Sequence, residues 1–289
     1  MVKRFIELNE DEKSLVCEFL NRNIESKKSL EDFEKLFVNE AYDYGNGILF
    51  YFENGEVLGK INVILESIKH ANCCYVFNFD TLESLKNKES ILKKLIDYVK
   101  ALVKAYGTDK IIFGMLNEDT VKLAESIGIY KSYSAFEMTL EDKESHGEIL
   151  DLIPLCERNL KEYLRLHNAA FNDMPHGACI TLEKVKSQLK EVSTKNCYFF
   201  IVSNKGSNVG VMEIDIDENN KGIFHIGLIK EYRGKGYGKK LLETAINFLV
   251  DKDVDQICLT VIEKNRIAYN MYKKRGFIIS EVLSNWTQL

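Results

Sequence analysis

The stretch from Tyr232 to Lys240 places three glycines among four cationic residues, between a strand-like segment and an amphipathic helix. Glycine adopts positive φ without strain and lets backbone amides approach one anion closely. The N-terminus of the following helix would present unpaired amides and the positive end of its dipole to the same anion. The sequence therefore predicts a pyrophosphate-binding turn, with charge added by Arg233, Lys235, Lys239 and Lys240.

Two other phosphate-binding patterns fit this stretch poorly. A nucleoside-triphosphate loop would need its second glycine where Lys239 stands, and no hydroxyl residue follows. A dinucleotide fingerprint would need its third glycine one residue later than Gly238, in a βαβ unit that the stretch does not open.

Arg233 to Gly238 reads Arg-x-x-Gly-x-Gly, which resembles the acetyl-coenzyme A signature of the GNAT superfamily of N-acetyltransferases. A strand candidate at 256–261 follows the helix. Beyond it stand the residues that the second signature of the family requires, an asparagine, a small residue, a tyrosine and a Gly-Phe helix exit: Asn265, Ala268, Tyr272, Gly276 and Phe277. Two signatures at the expected separation make the resemblance specific over about residues 224 to 277.

Bulk composition restricts the class of protein. At 289 residues and 45% hydrophobic content, the chain is expected to form two domains. A net charge of −5 argues against a nucleic-acid partner. The charged N-terminus predicts neither a secretory signal nor a membrane span, and therefore a cytoplasmic protein. Seven cysteines without a Cys-x-x-Cys pair predict reduced thiols and no metal.

The two halves of the chain repeat the same order of predicted elements. Each has a hydroxyl N-cap before an amphipathic helix and then a hairpin, which Asn54-Gly55 marks in the first half. The tail Ala135 to Leu140 resembles Asn285 to Leu289. When the halves are aligned, the glycines of the turn fall opposite Glu83 to Lys88, and Tyr272 falls opposite Ala124.

We therefore expect residues 1–143 to form a degenerate, non-catalytic domain and residues 149–289 to form the catalytic domain that binds acetyl-coenzyme A. The boundary is placed in the polar run from Glu141 to Glu148, which lacks apolar periodicity.

The resemblance implies a mixed α/β (α+β) fold of two tandem GNAT-like domains, each a mostly antiparallel twisted sheet with flanking helices. It is similar to the two-domain type represented by mycothiol synthase. It implies an acyltransferase that moves an acetyl group from acetyl-coenzyme A to a primary amine of a small metabolite by direct attack on the thioester. We expect a monomer or homodimer. The alternatives are a non-catalytic acyl-coenzyme A binding or sensing protein and a protein N-acetyltransferase.

The resemblance also assigns roles to residues. Tyr272 would be the general acid toward the departing thiolate, provided that it is tightly positioned, because its pKa of about 10 exceeds that of a thiol at about 8.5. The predicted donor-binding residues are Leu228, Ile229, Lys230, Arg233, Gly234, Lys235, Gly236, Tyr237, Gly238, Lys239 and Asn265.

The acceptor side is less defined by the sequence. Glu213 and His225 are candidate general bases, although both also fit solvent-facing strand positions. The loop Phe171 to Gly177 is expected to form the amine site, with Asp173 as a possible anionic contact for the amine.

Overall fold

A computed structural model of the protein describes residues 1–144, 147–174, 176–177, 179–192 and 195–289. Its contacts form two compact units, one of Met1–Ser134 with Leu283–Leu289 and one of Ala135–Val282. Within the described ranges, none of the helices has the length and apolar content needed to cross a bilayer.

The first unit is a sheet with helices on both faces. Its strands are β1 (Val2–Arg4), β2 (Ile48–Glu53), β3 (Glu56–Ile64), β4 (Cys74–Thr81) and β5 (Ile111–Met115). They lie in chain order, followed by residues 285–288 of the C-terminal strand, and the β4–β5 pair is parallel whereas the other pairs are antiparallel. The helices are α1 (Glu10–Asn21), α2 (Leu30–Phe37), α3 (Ser67–Ala71), α4 (Lys88–Ala105) and α5 (Glu118–Ser126).

The second unit repeats this plan. Its strands are β6 (Tyr133–Leu140), β7 (Asp151–Pro154), β8 (Cys197–Asn204), β9 (Ser207–Ile216), β10 (Lys221–Leu228), β11 (Gln256–Ile262) and the start of β12 (Phe277–Gln288). The order β6-β11-β10-β9-β8-β7 contains the parallel pair β10–β11. Its helices are α6 (Leu160–Phe171), α7 (Leu182–Val192), α8 (Tyr237–Asp251) and α9 (Arg266–Arg275).

Side-chain alternation along the central strands builds two cores in the second unit. On β9, Val211 packs with Tyr163 and Leu166 of α6, whereas its neighbour Met212 belongs to the core that contains Leu242 and Ile246 of α8. The mixed α/β fold with a mostly antiparallel sheet is therefore confirmed.

The β2–β3 and β8–β9 hairpins match residue for residue. Asn54 and Gly55 have φ of 53° and 80°, and Lys205 and Gly206 have φ of 49° and 82°. Two successive positive φ values are typical of the type I′ hairpin turn, so the predicted Asn-Gly turn is confirmed. The pairing register shifts at Tyr51/Phe52 in one hairpin and at Val202/Ser203 in the other, at equivalent positions.

The compact units differ from the sequence division at two segments. Residues 135–140 belong to the second unit, and residues 283–289 belong to the first. These are the terminal strands of the two repeats, and which sheet such a strand joins depends on long-range pairing, which local sequence patterns do not encode. The predicted boundary run is bound to the second unit, since Lys143 Nζ donates to the Val254 carbonyl at 2.7 Å. Ser145 and His146 of that run lie outside the described residues.

Candidate active site

The parallel strands β10 and β11 separate halfway along. Their pairing runs from Lys221 opposite Gln256 to Phe224 opposite Leu259. Beyond that point β10 stays paired with β9 as far as Leu228, and β11 stays paired with β6 as far as Ile262. An opening therefore lies between the ends of the two strands.

Backbone groups of β10 face this opening. The Ile229 N–H donates to the Val209 carbonyl at 3.0 Å, so that amide is used within the sheet. Because successive residues of a strand direct their N–H groups to opposite edges, the N–H groups of Ile226 and Leu228 point toward the opening. Of the two predicted donor-binding residues at the end of β10, Leu228 thus has an N–H group that can bind a ligand, whereas the N–H group of Ile229 is used in the sheet.

A glycine turn connects the end of β10 to α8. Gly234 and Gly236 have φ of 73° and 87°, and no atom lies within 4 Å of the position that a Cβ would occupy at either residue. Lys235 and Lys239 are exposed beside them. The turn is therefore an open cradle with flanking positive charge at a helix N-terminus, which fits a pyrophosphate.

Three residues of the predicted turn have a different role. Gly238 lies inside α8 without positive φ, and a Cβ there would stand 3.3 Å from the Met271 sulfur, so this glycine permits close helix packing. The Tyr237 hydroxyl accepts from Asn204 Nδ2 at 3.3 Å, and Lys240 pairs with Glu148. These side chains are engaged by the protein itself.

Arg233 is also engaged by the protein. Its Nη1 and Nη2 donate to the two carboxylate oxygens of Asp173 at 2.7 and 2.9 Å, and its Nη2 also donates to the Ala170 carbonyl at 2.9 Å. Its Nε donates to the Leu228 carbonyl at 2.9 Å. This hydrogen bonding holds the pKa of Asp173 below its usual range. The guanidinium therefore fixes the α6 end to the β10 end, and the geometry supports neither the predicted phosphate role of Arg233 nor the predicted amine contact of Asp173.

The last turn of α6 and the loop after it contact residues that follow both β10 and β11. Ala170 and Asp173 contact Arg233, which follows β10, and Met174 Sδ accepts from the side chain of Asn265, which follows β11, at 3.8 Å. Asn265 Oδ1 also accepts from the Ala268 N–H at 3.4 Å, which makes it the N-cap of α9. The described part of the predicted acceptor loop thus lies beside the opening, whereas Pro175 lies outside the described residues.

Burial shifts one titrating group of this loop strongly. His176 has its pKa lowered to about 4 by burial, with a smaller effect of the nearby positive charge of Lys264. The imidazole is therefore neutral at physiological pH.

Tyr272 lies on α9 at the inner end of the opening. It is 7% exposed, and its ring is 6.5 Å from the ring of Phe224, the residue at which the β10–β11 pairing ends. Burial raises the pKa of its phenol, which keeps the proton in place. No protein group in the described ranges hydrogen bonds to the hydroxyl, in contrast to most buried tyrosines.

Glu213 and His225 are brought together on the α6 side of the sheet. They are cross-strand partners of β9 and β10, and His225 is the first residue of β10 beyond the last pair with β11. Glu213 is half-buried and His225 is exposed. Both predicted base candidates therefore lie at the edge of the opening.

The sequence prediction missed two partners of Glu213 on α6. The Tyr163 hydroxyl donates to Glu213 Oε1 at 2.6 Å, and His167 Nε2 lies 3.4 Å from the same oxygen. Burial lowers the pKa of His167 and raises that of Tyr163, so both are neutral at physiological pH. Oε2 of Glu213 has no hydrogen bond within the described part of the chain. Tyr163 and His167 are four residues apart on one helix face, but that spacing alone also fits ordinary core packing.

Two parallel strands that separate in front of a glycine-rich helix N-terminus define a GNAT-type fold. Residues 161–277 match the family model described as the acetyltransferase (GNAT) family, and this region of the chain belongs to that family. The family is the one that the two sequence signatures indicated.

Relatives and solved structures agree with this assignment. The mycothiol acetyltransferase of Thermobispora bispora is 28% identical over 127 residues, which are 42% of this chain and 43% of that protein. The thialysine N-epsilon-acetyltransferase of Bos taurus is 29% identical over 159 residues, 49% of this chain and 84% of that protein. The match thus spans less than half of the bacterial relative.

A solved structure shares the two-domain fold over the whole chain. A tandem GNAT protein from the clavulanic acid biosynthesis pathway superposes with a TM-score of 0.54 at 12% identity, covering 100% of this chain and 97% of that one. The predicted resemblance to tandem GNAT proteins of the mycothiol synthase type is confirmed.

Proposed function

We propose that this protein is an N-acetyltransferase that moves an acetyl group from acetyl-coenzyme A to the primary amine of a small metabolite, in its second unit. The observation that carries the proposal is the opening between β10 and β11 directly before the glycine turn of α8. It combines backbone amides without a sheet partner at the end of β10 with an anion cradle at the N-terminus of α8.

The donor substrate fits this arrangement in two parts. Its pyrophosphate would accept from the amides of residues 234–239, with Lys235 and Lys239 adding positive charge. Its pantetheine arm would lie between the strands, where the Leu228 amide would donate to the thioester oxygen. A single donor of this kind contributes about 3 kcal/mol of transition-state stabilisation in other acyl transfers.

The proposed reaction moves two protons. The amine nitrogen attacks the thioester carbonyl carbon and forms the amide bond, while the carbon–sulfur bond breaks and leaves the coenzyme A thiolate. Tyr272 would give its proton to that sulfur, since burial keeps the phenol protonated. The proton lost by the amine would pass to Glu213, whose Oε2 is not occupied by Tyr163 or His167.

The small-amine acceptor is supported by relatives whose names state a small-molecule substrate, the mycothiol and thialysine acetyltransferases. The loop that borders the opening is held by contacts with Arg233 and Asn265. We keep the expectations of a cytoplasmic location and of a monomer or homodimer, and light scattering of the purified chain tests the latter.

A release assay for free thiol over a panel of small amines tests the proposal. We expect amine-dependent release of coenzyme A and an acetylated product by mass spectrometry. Saturable binding of acetyl-coenzyme A without turnover on any amine would instead identify a sensing protein. Turnover on peptide N-termini or lysines alone would identify a protein N-acetyltransferase.

A further inference from the structure

The first unit contains an open cavity of about 500 Å³ that the proposed reaction does not use. It lies between the sheet and the helices α1 and α2. Its lining combines apolar rings with charged and amide side chains, among them Phe33, Phe37, Lys60, Asn62 and Asp80.

Lys60 on β3 places an unpaired ammonium against this cavity. The residue is only 7% exposed, and no hydrogen-bond acceptor or ion-pair partner reaches its Nζ within the described ranges. The Nζ lies 5.9 Å from the centroid of the Phe37 ring. Burial lowers its pKa to about 8, which still leaves it charged at pH 7. Buried lysines are rare without a partner, because the desolvation of the charge is unfavourable.

Asn62, two residues further along the same strand, adds an unsatisfied acceptor. It is 3% exposed, and its Oδ1 has no hydrogen-bond donor. Residues two apart on a strand point to the same face, so the ammonium and the amide oxygen face the same cavity. A buried acceptor without a donor is also unfavourable, by about 1–3 kcal/mol in typical cases.

The other two charged side chains that line the cavity form an ion pair with each other. Asp80 pairs with Arg22, whose Nη2 also donates to the Thr81 carbonyl at 2.9 Å. Although Asp80 is the cross-strand partner of Lys60, it forms no ion pair with it at hydrogen-bond distance. The cavity thus has one uncompensated positive charge.

The backbone is irregular where these groups meet. The register between β3 and β4 shifts between Lys60 and Asn62, and Asn78 on the opposite strand has φ of 60°. Such bulges redirect side chains and occur often beside functional sites.

The cavity can be compared with the equivalent position in the second repeat. Since Asn54 corresponds to Lys205 at the hairpin turn, Asn62 corresponds to Glu213, eight residues further on in each case. Asn62 faces α1 and α2 as Glu213 faces α6. The cavity therefore occupies in the first unit the place where the second unit has its candidate acceptor side.

We propose that the first unit binds a small monoanion, such as a carboxylate, that also carries a hydrogen-bond donor. The anionic group pairs with Lys60, and the donor satisfies Asn62 Oδ1. This site is independent of acetyl transfer, and it gives the non-catalytic unit a ligand-binding role.

Nuclear magnetic resonance of the lysine side chains tests the proposal with three matched probes. L-lactate has a carboxylate and a hydroxyl, acetate lacks the donor, and L-lactamide lacks the charge. We expect saturable shifts of the Lys60 Cε and Nζ resonances with L-lactate at roughly 1–10 mM, at least threefold weaker binding of acetate, and none of L-lactamide.

Variants assign the two contacts. Lys60→Met should abolish the binding of L-lactate, as followed by calorimetry, and Asn62→Leu should reduce it to the level of acetate. Lys100→Met removes an exposed lysine of the same unit and should leave the binding of L-lactate unchanged. The proposal is overturned if Lys60 does not respond to L-lactate and acetate up to about 100 mM, or if L-lactamide binds as well as L-lactate.

Discussion

The carboxylate of Asp173 receives both Nη groups of Arg233, at 2.7 and 2.9 Å. This bidentate pair joins the loop after α6 to the residue that follows the end of β10. We therefore propose a positioning role for the arginine of the donor signature, and we assign phosphate binding to the backbone of the glycine turn and to Lys235 and Lys239.

Arg233→Lys and Asp173→Asn should both lower activity, the first more than the second, because Arg233→Lys also disrupts the hydrogen bonds to the Leu228 and Ala170 carbonyls. Each breaks the bidentate pair, because lysine cannot form two parallel hydrogen bonds. We expect kcat/KM to fall by roughly three- to tenfold in each, and the double variant to be no worse than Arg233→Lys alone, corresponding to a coupling of about 0.5–1.5 kcal/mol. Steady-state kinetics of the four proteins measures this. A higher KM for acetyl-coenzyme A in Arg233→Lys, with normal kinetics in Asp173→Asn, would restore the phosphate role.

Gly236→Ala should weaken the binding of acetyl-coenzyme A by about tenfold. An alanine at φ of 87° costs about 1–2 kcal/mol, which shifts the turn away from its cradle conformation. Gly107→Ala is the matched control, because Gly107 has φ of 88° and equally open space at its Cβ position in the first unit. Calorimetry should show a loss of affinity only for the first variant. Equal affinities would contradict the cradle.

Tyr272→Phe should lower kcat by about 10²-fold and leave the affinity for acetyl-coenzyme A within about twofold. Because the hydroxyl has no hydrogen-bond partner in the described ranges, its loss should not reduce the free energy of unfolding. Tyr269→Phe, on the same helix with its ring 5.9 Å from Phe136, is the control and should retain kcat. Full activity of Tyr272→Phe would remove the proposed acid.

Acid should destabilise the second unit through His176. Its pKa is about 4 in the folded protein and about 6.5 in the unfolded chain, so the unfolded state binds more protons between these values. Stability is therefore lost as the pH falls from about 6.5 to about 4, by up to about 3 kcal/mol. Asparagine tolerates the φ of 58° at this position, so His176→Asn should lose less stability than the wild type over the same pH range. Hydrogen exchange at several pH values measures the stability of the wild type and the variant. Equal losses of stability in the two proteins would show that His176 is not the responsible group.

Lys60→Met should raise the free energy of unfolding of the first unit at pH 7 by about 1–3 kcal/mol, because it removes a buried unpaired charge. Wild-type stability should increase as the pH rises from about 8 to about 10.5, where only the unfolded state retains this proton. The advantage of the variant should then disappear, whereas Lys100→Met should show no such trend. Denaturant titrations at pH 7 and 10 provide the test. A destabilised Lys60→Met would show that the lysine has a structural partner.

The sequence predicted the features that depend on local patterns. The turn at Asn54-Gly55 and the helix exit at Gly276, with φ of 105°, both follow from short-range conformational preferences.

Features that depend on long-range contacts were not predicted. The spacing of Arg233 is the same whether it binds a phosphate or Asp173, which is 60 residues away in the chain. Tyr163 and His167 meet Glu213 only because α6 packs on β9, and the exchange of residues 135–140 and 283–289 between units has no local signature. The unpaired Lys60 likewise reads as an ordinary strand residue until its burial is known.

A crystal structure of the protein soaked with acetyl-coenzyme A tests the proposed donor site directly. We expect one molecule in the second unit, with its pyrophosphate within hydrogen-bond distance of the amides of residues 234–239 and its thioester oxygen on the Leu228 amide. A pyrophosphate bound at residues 83–88 of the first unit, or a second unit that stays empty at saturating ligand, would contradict it.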